Sequence, residues 1–295
     1  MIHDSTPSGD KPSPPYKSSV AMAKTDQRTG DGFFAATSQI WTVNRDVVLL
    51  LAGGRALLMQ LAHPKVAAGV AEHSRFQEDP LGRLYRTMSI MWSIVFDPEP
   101  EARSALREVE MVHKRVRGTV PVGEPSYACA AYDAADQDLL LWVHATLIDS
   151  AMVAYDRFVA PLGVPNRQEY YEDSKRLAAL FRIEERNTPR SLGEFDRYMT
   201  DIVTSETIAV GLTARRLAEQ VLYPRPWLLK PAAPLFRLVT AGLLPERVRD
   251  GYGLKWNRKR DKRLSLAAGA IRRLLPLVPS PLRIVPNARK AERAG

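Results

Sequence analysis

VVLLLAGGRALLMQLA, residues 47–62, is the longest apolar run in the chain. A helix needs about 20 predominantly apolar residues to cross a bilayer. Gly53, Gly54 and Arg55 interrupt this run, which is too short to span and reads as a buried core helix. His63-Pro64 follows it, where one helix should end and the next begin. KVAAGVAEHS continues as a short segment.

The rest of the chain repeats the helical theme. PLGRLYRTMSIMWSIVFD (80–97) opens with a proline suited to a first turn. EPEARSALREVEMVHKRVRG (99–118) starts acidic and ends basic at Gly118, which suits the helix dipole and a C-terminal stop. DQDLLLWVHATLIDSAMVAYDRFV (136–159) reads as a long apolar helix, and further helices are expected over 166–183, 191–205 and 206–222. Alternation of strand length is hard to find, and no repeat of fixed period stands out. The expected architecture is a single all-α domain over 34–285. A Pro-rich, polar and disordered tail precedes it at 1–33, and a basic tail follows at 286–295.

Composition bounds the function. The 295 residues are 45% hydrophobic and 25% charged, as in an ordinary globular protein. The net charge of +9 is uneven: residues 245–295 hold 14 Lys and Arg against 4 Asp and Glu, and the remainder balances to −1. A nucleic-acid binder normally carries its basic stripe on the folded domain, so no nucleic-acid partner is expected. The basic section permits a peripheral contact with anionic lipid. Cys129 is the single cysteine, and no secretory signal pattern is visible. The expected location is cytoplasmic, with a peripheral contact on the inner face of the membrane as an option.

Chemistry-bearing residues gather in two places. His113 shares the apolar edge of its helix with Leu106 and Val109, and His144 sits among Leu140, Leu141, Leu147 and Ile148. Both rings are read either as hydrogen-bonded core histidines or as metal or cofactor ligands. Glu110 and His113 form one ExxH unit, but a di-iron bundle needs a second, and Leu141 stands where its Glu would be. No HExxH, thiolate cluster, P-loop or G-x-S-x-G is present. The surviving metal reading is one imidazole on an iron that brings its other ligands, that is, haem. In GRLYRT (82–87), Arg83, Arg86 and Thr87 share one helical face. They read either as a helix end paired to Glu72, Glu78 or Asp79, or as an anion or oxygen site.

The ordered series GGRALLMQLAHPKVAAGVAEHSRFQEDPLGRLYRT, HKRVRG and WVHATLIDS resembles the MpaB-like oxygenase family, whose characterised branch is the rubber oxygenase catalytic domain. The similarity runs from about 38 to 285. It implies a globin-like helical fold, haem b and oxidation with dioxygen. By that resemblance His113 is the proximal iron ligand, and Arg83 and Thr87 shape the distal side. Glu72 is the acid/base carboxylate, and His144 supports or packs the haem. Arg117 meets a propionate or solvent. Arg86 stands where the rubber-cleaving branch has a lysine able to ligate iron. Arginine stays protonated, so an open or water-bound sixth position is expected. An extracellular polymer does not suit a chain with no visible leader, and a small hydrophobic isoprenoid or lipid substrate fits better. The readings from other classes are a haem-binding sensor or carrier without turnover, and a cofactor-free membrane-associated helical protein.

Overall fold

The computed structural model describes residues 32–74, 80–223 and 232–294. The expected tail at 1–33 falls almost wholly outside them. The described chain is all-α apart from one small hairpin. Two central helices organise it: α2 (Leu50–Leu61), opened by a 3-10 turn at Val47–Leu49, and α6 (Gln137–Phe158). They form the most extensive helix pair in the fold. Nearly every residue of α2 is buried, so it is a core helix. Among the described residues no single helix is long and apolar enough to cross a membrane.

Around this pair lie α1 (Gln39–Asn44), α3 (Pro64–His73), α4 (Pro80–Phe96), α5 (Glu99–His113), α7 (Val164–Leu180), α8 (Leu192–Thr204) and α9 (Leu212–Leu222). Then come α10 (Ala233–Leu243), α11 (Glu246–Gly251), α12 (Arg258–Leu274), α13 (Ser280–Arg283) and α14 (Pro286–Ala294). One dominant core joins Ile40, Leu58, Met59, Trp142, Ile148, Phe158, Leu177 and Phe195, all almost completely buried.

Local chemistry sets the helix starts. Asp136 accepts from the Asp138 amide at 2.9 Å, and Asn257 from the Arg260 amide at 3.0 Å. Ser191 accepts from the Glu194 amide at 3.2 Å while the Glu194 carboxylate accepts from the Arg190 amide at 2.8 Å, so two otherwise orphaned donors are satisfied. His63 caps α3: its Nδ1 accepts from the Lys65 amide at 3.2 Å, with Pro64 in the first turn.

Three expectations are corrected. The helix read over 99–118 stops at His113, where the amides of Arg115 and Val116 fold back on the carbonyls of Val112 and His113. The stretch that follows, holding Val116, Thr119 and Val120, takes extended backbone. Arg117–Thr119 forms β1, antiparallel to β2 (Ala131–Asp133), pairing Gly118 with Tyr132. Helix α9 begins at Leu212, not near 206, because Gly211 is its cap. Residues 286–294, read as a tail, are helix α14 packed on α4. Val285 and Ala288 are fully buried there, and Asn287 donates to Asp97 at 2.8 Å.

Candidate active-site cleft

Helix α5 packs extensively on α4 alone. Between it and the α6–α7 pair lie two adjoining spaces of about 480 and 330 Å³. The inner, 330 Å³ space is walled by Arg86, Thr87, Ile90 and Met91 of α4, Val109, Val112 and His113 of α5, and Val143, His144 and Leu147 of α6. Four of the expected residues, Arg86, Thr87, His113 and His144, therefore meet in one place. Arg83 lies on the same helical stretch, and its side chain is outside the described residues.

His113 is the last residue of α5 and lines both spaces, half-buried. Burial pushes its pKa down, so the ring is held towards the neutral form. Among the described residues neither ring nitrogen is hydrogen-bonded. His144 is buried, and desolvation lowers its pKa to about 4; a hydrogen bond to the Ser174 backbone opposes that only in part. It is a neutral imidazole in a mixed wall, where Arg86, Thr87 and Glu108 stand among the apolar residues. Gln60 of α2 also lines the inner space and was not singled out from the sequence. Its signal was there to read: it is the one amide side chain in the otherwise apolar stretch ALLMQLA.

The outer space is a charged mouth. Arg103, Arg107 and Glu110 of α5, with Lys114 just beyond it, face Arg182 just past α7. Glu110 pairs with Lys114 at 2.7 Å and Arg182 at 2.9 Å. The hydrogen bond from Lys114 holds its carboxyl below the usual range, with Arg182 helping. The ExxH carboxylate thus serves ion pairs at the mouth and does not turn inward with His113. Among the described residues no group of three or more His, Cys, Asp and Glu is arranged to hold a bare metal ion.

A third space, about 60 Å³, continues from the inner one into the core. Gln60, Thr87, Met91 and Leu147 line both and form the threshold. Beyond it the walls are Leu50, Leu57, Met88 and Trp92, and the far end carries Asn44, Asp46 and Tyr170.

Two expected residues are elsewhere. Glu72, at the end of α3, accepts from the Tyr132 hydroxyl at 2.5 Å. Arg117, on β1, pairs with Asp133 at 2.8 Å, and its carbonyl lies 2.9 Å from His73 Nε2. Neither lines the cleft: Tyr132 holds Glu72 at the hairpin, and the chain leaves its helical path after His113 and carries Arg117 into β1.

The catalytic-domain family described as "ER-bound oxygenase mpaB/B'/Rubber oxygenase" matches residues 41–273, well over half of the chain. The chain belongs to that family. The match spans α2 to α12 and so takes in every wall of the cleft. Family membership makes the chain an oxygenase-type catalytic domain and implies a substrate and dioxygen. Two relatives, "Uncharacterized protein Rv2237" of Mycobacterium tuberculosis and "Uncharacterized protein Mb2261" of Mycobacterium bovis, are each 25% identical over 228 residues. That alignment covers 76% of this chain and 87% of theirs. No solved structure matches the chain significantly.

Proposed function

We propose that the chain is a haem b-dependent oxygenase that uses dioxygen on a small hydrophobic substrate of the isoprenoid or lipid class. The observation that carries this is His113: a neutral imidazole without a hydrogen-bond partner among the described residues, at the junction of two adjoining spaces. Those spaces lie within the roughly 300–1,000 Å³ usual for cofactor and ligand sites.

The residues present fit the group. A bare ion would need several side-chain donors, whereas a macrocycle that brings its own nitrogens needs one imidazole and an apolar slot. Ile90, Met91, Val109, Val112, Leu140 and Leu147 give the slot its apolar walls, with Gln60, Arg86, Thr87 and Glu108 as its polar edge. Helix α5, held mainly from the α4 side, leaves that slot open towards α6. When bound, haem would supply iron-based redox chemistry with dioxygen.

The chain's own residues have distinct tasks in this reading. His113 would hold the iron through its imidazole. Thr87, at the threshold, offers a hydroxyl donor beside the reacting region, and Arg86 a permanent positive charge on the same helix. Arg83 joins them by helical position. His144 stays neutral and lends the wall a polar edge without a charge. Beyond Thr87 the small inner space is walled by Leu50, Leu57, Met88 and Trp92 and ends at Asn44, Asp46 and Tyr170. Glu72 and Arg117, engaged with Tyr132 and Asp133, have no part in the chemistry.

The test is oxygen uptake by the haem-loaded protein with squalene and geranylgeraniol as probes. Wild type consumes oxygen, and Thr87→Val keeps its haem while losing most of the rate. A haem-loaded protein that leaves both probes and oxygen untouched is a carrier or sensor, and the enzyme reading then fails.

A further inference from the structure

Helix α12 is apolar on two faces, where a surface helix normally has one. Its inner face is buried through Leu264 and Ala268. Its outer face carries Leu266, Ala270 and Leu274, four-residue steps along one stripe, continued three residues on by Leu277 in the turn that follows. Leu266, Leu274 and Leu277 are 74%, 58% and 77% exposed, and Leu282 of α13 is 72% exposed. Lys259, Lys262, Arg263 and Arg273 flank the stripe, all exposed, and none has an acidic partner among the described residues. Asp261 is the single acid of α12.

We infer that this face docks on an anionic lipid surface, with the leucines entering the headgroup boundary and the lysines and arginines meeting lipid phosphates. Exposed leucines between unpaired cations are the pattern of an interfacial helix. Charge complementarity selects the occupant. A second copy of the chain would set one section of balance +10 against another, which repels. A nucleic acid would use the cations and leave the leucines in water. An anionic bilayer satisfies both sets of side chains. The inference goes beyond the oxygenase reading and does not depend on a cofactor.

Co-sedimentation of the full-length protein with phosphatidylcholine vesicles, with and without phosphatidylglycerol, tests it. Wild type should bind the anionic vesicles, weakly bind the neutral ones, and release partly in high salt. Leu266→Ser, Leu274→Ser and Leu277→Ser combined should lower partitioning by at least about tenfold with an unchanged circular dichroism spectrum. Leu212→Ser, an exposed leucine on α9, should bind like wild type. Several outcomes overturn the proposal: no binding to anionic vesicles, binding that survives the triple change, or a wild-type dimer in light scattering that the triple change dissolves. Tighter binding to RNA than to the anionic vesicles also overturns it.

Discussion

Arg55 in α2 reaches Asp149 in α6 at 2.5 Å, the guanidinium 5% and the carboxylate 17% exposed. The same guanidinium donates to Ser150 Oγ at 2.6 Å and to the Leu243 carbonyl at 2.7 Å. This buried fork fixes how α2 lies against α6, and the cleft depends on that. Gln60 follows Arg55 on one helix, and His144 and Leu147 precede Asp149 on the other. Breaking one partner of such a pair strands a buried charge, at about 3–5 kcal/mol. Arg55→Leu and Asp149→Asn should each destabilise strongly in urea unfolding. The double variant should lose less than the sum of the two.

Two buried histidines make the fold acid-sensitive. Desolvation lowers the pKa of His63, helped by Lys65, and of His144 from 6.5 to about 4. Well above pH 6.5 both rings are neutral whether the chain is folded or not. Between about pH 6.5 and pH 4 the unfolded chain binds protons that the folded one refuses. Stability therefore falls with falling pH, by up to about 1.4 kcal/mol per pH unit for each ring. His144→Leu should flatten that slope by up to about 1.4 kcal/mol per pH unit in a series of urea melts from pH 7 to pH 4.

Glu72 is expected to matter for the hairpin and not for turnover. Tyr132→Phe removes its hydrogen bond and should lower stability by about 1 kcal/mol. Glu72→Gln should keep oxygen uptake within about twofold of wild type, measured per bound haem. A large loss of uptake with haem retained would return Glu72 to the acid/base role that the family resemblance suggests.

Gly54 marks the closest approach of α2 to α10. A Cβ there would lie 2.2 Å from Thr240 Oγ1 and 2.8 Å from the Phe236 ring. Gly54→Ala should cost about 1–3 kcal/mol by overpacking, despite the better helix propensity of alanine, and thermal melts will show it.

What the sequence disclosed follows the range of the interactions involved. The helices α2, α4, α6 and α8 were legible because apolar spacing is a local signal. The meeting of His113, Thr87, Arg86 and His144 was legible only through resemblance, since nothing in their spacing brings three helices together. The hairpin was missed because its cause is long-range. Gly118 reads as a helix stop, but its lack of a side chain lets Tyr132 and Glu72 close over it, where a Cβ would stand 2.5 Å from the Tyr132 hydroxyl. Gln60 was overlooked because a single amide in an apolar helix gains its meaning from the cavity beside it.

The most direct test of the central claim is the absorption spectrum of the protein purified with haem supplied, beside His113→Ala. The wild type should show a Soret band that shifts with dithionite and again with carbon monoxide. The His113→Ala protein, folded by circular dichroism, should lose that band. A featureless wild-type spectrum with a negative pyridine haemochrome assay, or an unchanged Soret band in His113→Ala, would contradict it.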